Sequence, residues 1–127
     1  MLADPVEGTP PYLQGFAPDI EFLDCAQVFN RGQKACVPLK CYDHLLITDE
    51  TSPLDGTGAH QRKFYAPGVG NVRVAPVNDP EAEILALTQL NTLSAKALTD
   101  AANSALKLER RAYQVSDVYA TTAPMRR

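Results

Sequence analysis

The sequence predicts an α+β fold: a curved antiparallel β-meander, one long C-terminal helix packed on it, and an extended proline-rich N-terminal arm. Three observations carry this reading. Turn-forming residues recur at short intervals between Cys25 and Leu93, the spacing of strands joined by tight connections. From Ser94 onward, apolar residues repeat at helical spacing. Four of the ten prolines, Pro5, Pro10, Pro11 and Pro18, fall within the first 24 residues. The length of 127 residues allows one domain, and 45% apolar with 21% charged residues is ordinary globular composition. Wholesale disorder and fibrous or repeat architectures are excluded. So is a transmembrane helix, because no apolar run nears the 18 or so residues needed.

Residues 1–19 are expected to form the arm, 20–115 a single sheet-plus-helix domain, and 116–127 a tail. Proline lacks a backbone donor and drives its predecessor toward extended geometry, so the arm reads as neither helix nor central strand. It is either a poorly ordered leader or a strap pinned by Tyr12, Leu13 and Phe16. Charge is uneven as well. Asp4, Glu7, Asp19, Glu21 and Asp24, with no Lys or Arg among residues 1–24, give that stretch −5 within a chain of net charge −3. The net charge argues against a nucleic-acid partner held by bulk electrostatics. Leu2-Ala3 meets Asp4 and Pro5 at once, which is not the pattern of a secretory signal.

Asn30-Arg31-Gly32 and Val37-Pro38-Leu39-Lys40 are the first two turn candidates. Residues 41–51 read as a strand with Leu45 and Ile47 on one face, residues 52–59 as a polar loop, and residues 62–65 as a short strand. Ala66-Pro67-Gly68-Val69 has the proline and glycine positions of a type II turn, where glycine takes the positive φ at little cost. Gly70 permits a bulge. Residues 71–74 then alternate, with Val72 and Val74 inward. Asn78-Asp79-Pro80 closes a hairpin into a strand over residues 83–93, with Ile84, Ala86, Thr88 and Leu90 on one side; a helix competes for residues 81–93. Ser94 suits a helix N-cap. Leu98, Ala101, Ala102, Ala105, Leu108 and Ala112 make one apolar helix face, and Arg110 and Arg111 sit in its last turn.

Cys36 and Cys41 would face each other across a turn at residues 37–40, which favours a disulfide; two reduced thiols are the alternative. Cys25 is left over. A zinc site from Cys36, Cys41, His44 and His60 lacks a second ligand motif. Cysteine catalysis by Cys25 or Cys41 with His44 lacks a signalled base and oxyanion site, and Asp43 points away from its neighbour His44 in a strand. Gly68-Val69-Gly70 leads into a strand, with Arg73 where a dinucleotide fingerprint needs glycine. Asp49, Glu50 and Asp55 read as solvated carboxylates, and His60, Arg62 and Lys63 as a small basic patch. No metal or cofactor is assigned.

The blocks from Val37-Pro38 to Tyr42, from Thr48 to Leu54, and from Lys63 to Val72 (KFYAPGVGNV) resemble a family of exported, lipoprotein-like bacterial proteins with no assigned activity. The last block is the most specific. Lys40-Cys41 departs from the family pattern, which has glycine and a non-cysteine residue there. The resemblance implies an extracytoplasmic protein, of which this chain is the C-terminal portion, and supplies no catalytic residues. By fold analogy the sheet is similar to those of lipoprotein carriers. The expected function is a non-enzymatic binding or structural module, meeting a protein partner or itself through an exposed sheet edge. The alternative is a carrier of an apolar small molecule or lipid between sheet and helix, where Ala101, Ala102 and Ala105 leave room. A hydrolase is the remote third reading. The structural residues singled out are Cys36, Cys41, Pro67, Gly68 and Gly70.

Overall fold

A computed structural model of the chain describes residues 2–54, 58, 60–78 and 83–123. Six strands form one open antiparallel sheet in sequence order: β1 (Tyr12–Ala17), β2 (Phe22–Cys36), β3 (Cys41–Thr51), β4 (His60–Ala66), β5 (Gly70–Val77) and β6 (Leu85–Ala86). A long helix α1 (Ala95–Val115) and a single-turn helix α2 (Asp117–Ala120) follow. The class is α+β. The chain divides into two compact units, Met1–Leu90 and Asn91–Arg127, so the sheet and the helices are each described by themselves.

The sheet centres on β3, which pairs with β2 on one side and β4 on the other. Tyr42, Leu45, Ile47, Ala66 and Val72 are buried together, with Ala35, Val37, Phe64, Val69 and Leu87 packed around them. Both connections at this end are tight. Val37 N–H donates to Lys40 O at 3.1 Å, bringing Cys36 opposite Cys41, and a disulfide joins the two. Across the β4–β5 turn, Val69 N–H donates to Ala66 O at 3.1 Å and Gly68 takes φ +70°. A side chain at Gly68 would strain that conformation, which is why glycine follows Pro67 here.

Several elements differ from the expectations. The arm does not remain separate from the domain: Tyr12–Ala17 pairs with β2 as the edge strand β1, and Pro18 starts a single 3-10 turn over Pro18–Ile20. Proline flanks this strand at Pro11 and Pro18 and never enters it, so no proline removes a ladder donor; the pairing is interrupted only by a register shift between Leu13 and Gly15. Asn30-Arg31-Gly32 is no turn. It lies inside the 15-residue β2, whose register slips beside Phe29, at Gly32 and again before Ala35. Gly32, at φ +73°, absorbs an extra residue as a bulge and lets the strand continue.

The strand expected over 83–93 contracts to Leu85–Ala86, which pairs with Val74 and Arg73. Just past it, Leu87 N–H donates to Val72 O at 2.9 Å, and Leu87 O accepts from Leu39 N–H in the β2–β3 turn. Residues 87–94 belong to no strand or helix, and Ile84 is exposed. Asp55 and the Asp79-Pro80 step lie outside the described residues.

The helix starts where its cap predicts. Ser94 Oγ accepts the Ala97 N–H at 3.2 Å. It runs to Val115, so Arg110 and Arg111 precede its last turn. No residue of α1 is buried; Leu98 and Leu108 of the apolar stripe are exposed, as is Val115 at its end. The expected tail contains α2, capped by Ser116 Oγ accepting the Tyr119 N–H at 3.1 Å. Tyr119 meets the Tyr113 ring edge-on at 4.9 Å, which folds α2 back on the end of α1.

Candidate binding groove and the buried polar cluster beside it

Residues directly opposite one another in an antiparallel sheet share a face. One face carries three successive rows across β2, β3 and β4: Ala26–Glu50–Gln61, Val28–Thr48–Lys63 and Arg31–Leu46–Tyr65. Tyr12 joins the first row from β1. The first two rows build a sealed polar cluster, and the third floors an open groove.

In the cluster, Glu50 is 5% exposed and Thr48 1%. A carboxylate so far from water survives only with compensation. Thr48 Oγ1 donates to Glu50 Oε1 at 2.9 Å, Tyr65 Oη donates to the same oxygen at 3.2 Å, and the Lys63 ammonium sits against Oε2. Burial, reinforced by the Glu50 charge and the hydrogen bond to it, pushes the Tyr65 phenol up to about 12. Burial likewise raises the Tyr12 phenol, against an opposing contribution from the Leu2 backbone, and the charges of Glu50 and Asp24 add to the rise.

The opposite face repeats the pairing one residue out of phase. Asp49 Oδ1 accepts from Arg62 Nε at 2.9 Å with His60 Nε2 at 3.8 Å, and the Arg62 guanidinium stacks 3.8 Å over the Phe29 ring. The expected basic patch is therefore divided between two faces and neutralised. Asp49 and Glu50 likewise point apart and hold cations of the chain itself. The disulfide occupies both thiols of the zinc candidate, and the Cys25 thiol is free and half-buried on β2. His44 is exposed on β3 and His60 lies beside Asp49. Among the described residues no group of three or more His, Cys, Asp or Glu side chains converges as a metal site.

The groove encloses about 960 Å³. Three stretches wall it: Pro5–Glu7 of the N-terminal segment, the Gly32 and His44 region of β2 and β3, and the turn carrying Pro67, Gly68 and Gly70. The N-terminal wall is stitched down by Glu7, whose Oε1 accepts the Arg31 backbone N–H at 2.6 Å, and by a turn in which Thr9 bonds Val6 O. The two neighbouring strands bulge almost opposite each other, at Gly32 and at His44. His44 sits at φ +56°, a left-handed conformation uncommon outside glycine, though His, like Asn and Asp, adopts it more readily than most residues. Such strain, of order 1–2 kcal/mol, persists where surrounding structure imposes it, and it gathers at ligand sites. Gly68, at φ +70°, and Gly70, at φ +102°, complete a rim of four left-handed residues.

Of the residues marked in the sequence, Pro67, Gly68 and Gly70 meet at this groove, together with His44. Cys36 and Cys41 close the β2–β3 hairpin and do not line it. Sequence reasoning missed Arg31, Glu7 and Tyr65. No local pattern marks these three; the signal the sequence did carry was for the ion pairs beside the groove, since antiparallel register makes the doublets Asp49-Glu50 and Arg62-Lys63 into one pair per face. Comparison with family models, curated proteins and solved structures finds no match to this chain.

Proposed function

We propose that the chain is a non-enzymatic binding module that works outside the cytoplasm and receives its ligand in the groove floored by Arg31, Leu46 and Tyr65. The observation that carries the reading is the coincidence at one concavity of two opposed bulges and a strained His44 with two cationic-capable side chains. The Arg31 and His44 side chains have no partner among the described residues, whereas Glu50, Lys63, Asp49 and Arg62 are all committed to one another. A volume of about 960 Å³ suits a small molecule. The Cys36–Cys41 disulfide supports an oxidising compartment, and no helix among the described residues is long and apolar enough to cross a membrane.

The test is a two-dimensional amide NMR titration with anilinonaphthalene sulfonate, an apolar anion. Saturable shifts confined to residues 44–46 and 65–70 are expected. Shifts that never saturate, or that map only to the helical unit, would remove the groove reading. A second reading, association through the sheet edge, is favoured by β1, which is an edge strand with no outer partner strand among the described residues and whose Leu13 and Phe16 are 57% and 65% exposed. Light scattering at increasing concentration would then show a dimer that Phe16→Lys dissociates. A monomer at every concentration would exclude self-association.

A further inference from the structure

The composition of the lining narrows the groove's ligand. Arg31, beside the Gly32 bulge of β2, and His44, at the facing bulge of β3, both line it. The remaining lining is mostly aliphatic, with Val6 on the N-terminal wall, Leu46 on the floor and Val69 in the glycine turn. Glu7 is the one carboxylate in the lining, and one of its oxygens is engaged by the Arg31 backbone N–H.

We infer that the groove takes an aliphatic carboxylic acid in its ionised form, the carboxylate on Arg31 beside His44 and the hydrocarbon along Leu46 toward Val69. This rests on the groove reading above. A planar guanidinium offers two parallel donors that match the two oxygens of a carboxylate, and a hydrocarbon chain gains from covering the aliphatic wall. A neutral amphiphile gains only the second contribution. Glu7 has the wrong sign for this ligand, so its charge lowers affinity through space, and the bound acid need not displace it from the Arg31 amide.

Decanoate and decanol serve as matched probes, titrated at pH 8 by calorimetry and by amide NMR. The native chain is expected to bind decanoate about fivefold more tightly than decanol, the upper range of an ion pair at an exposed position. Arg31→Gln, a substitution at an exposed position, should bring decanoate down to the level of decanol and leave decanol unchanged. Glu7→Gln should tighten decanoate by up to about fivefold, the range of an exposed charge pair. Equal binding of the two probes, with shifts in the groove, overturns the carboxylate assignment and leaves the groove standing. An Arg31→Gln chain that binds decanoate as the native chain does also overturns it. Failure of both probes to bind removes the groove reading and this inference together.

Discussion

Replacing Lys63 by methionine keeps an unbranched stem as far as Cε and removes the ammonium that faces Glu50. The Glu50 carboxylate, 5% exposed, would keep its hydrogen bonds from Thr48 and Tyr65 but lose its counter-charge. Breaking a buried ion pair by deleting one partner costs about 3–5 kcal/mol. Two features place this pair at or just below the bottom of that range. The Lys63 side chain is 27% exposed, so some of its attraction to Glu50 is already screened, and the two remaining donors still stabilise the anion. A loss of about 2–3 kcal/mol is therefore expected. In urea, this lowers the midpoint by about 1–2 M.

Glu50→Gln in the same chain removes the stranded charge and retains an amide oxygen for Thr48 and Tyr65. The double variant should recover most of the loss and stand within about 1 kcal/mol of the native chain. The assay is urea denaturation followed by amide NMR signals of β3 and β4, which report the sheet alone. A Lys63→Met chain within about 0.5 kcal/mol of native, or a double variant no better than the single one, would show that water reaches Glu50. The polar cluster would then not be sealed.

Three further outcomes follow from the structure. Removing the disulfide by Cys36→Ser with Cys41→Ser, which opens a six-residue ring of sequence separation 5, should cost about 2 kcal/mol in the loop-entropy model; denaturation of native and variant sheets without reductant measures it. The Tyr65 phenol, lifted from an ordinary 10.0 to about 12, keeps its proton in the folded chain where the unfolded chain has lost it. Its contribution to stability is therefore full below about pH 10 and lost as pH rises toward 12. Ultraviolet titration of native and Tyr65→Phe chains should show the missing phenolate signal as the late-ionising one. Ser94→Ala removes the acceptor for the Ala97 amide and should destabilise the start of α1 by about 1 kcal/mol, read from hydrogen exchange in its first turn.

The elements that were legible in the sequence are those built by near neighbours. Pro67-Gly68 dictates its turn because ring closure and the missing Cβ act within four residues. Residues 37–40 bring Cys36 and Cys41 together for the same reason, and Ser94 marks the start of α1 through a side chain that reaches only three residues along. Where sequence and structure part, the deciding partner is distant. Tyr12–Ala17 carries no strong strand pattern and becomes a strand because β2 offers an unpaired edge. Residues 83–93 carry alternation, yet only Leu85–Ala86 form a strand, where they pair with Val74 and Arg73 of β5.

The candidate groove shows the same division. Its glycine turn could be read from residues 66–70, while its floor could not, because Arg31, Leu46 and Tyr65 are brought into one row only by the pairing of three strands. Composition, turn chemistry and the helix cap by themselves settle an antiparallel sheet followed by a helix, since each acts over a few residues of chain. The tertiary structure alone decides which acid meets which base, where two strands bulge together and which face closes over Glu50. Those outcomes depend on register between distant segments, and a slip of one residue would turn every side chain involved to the other side.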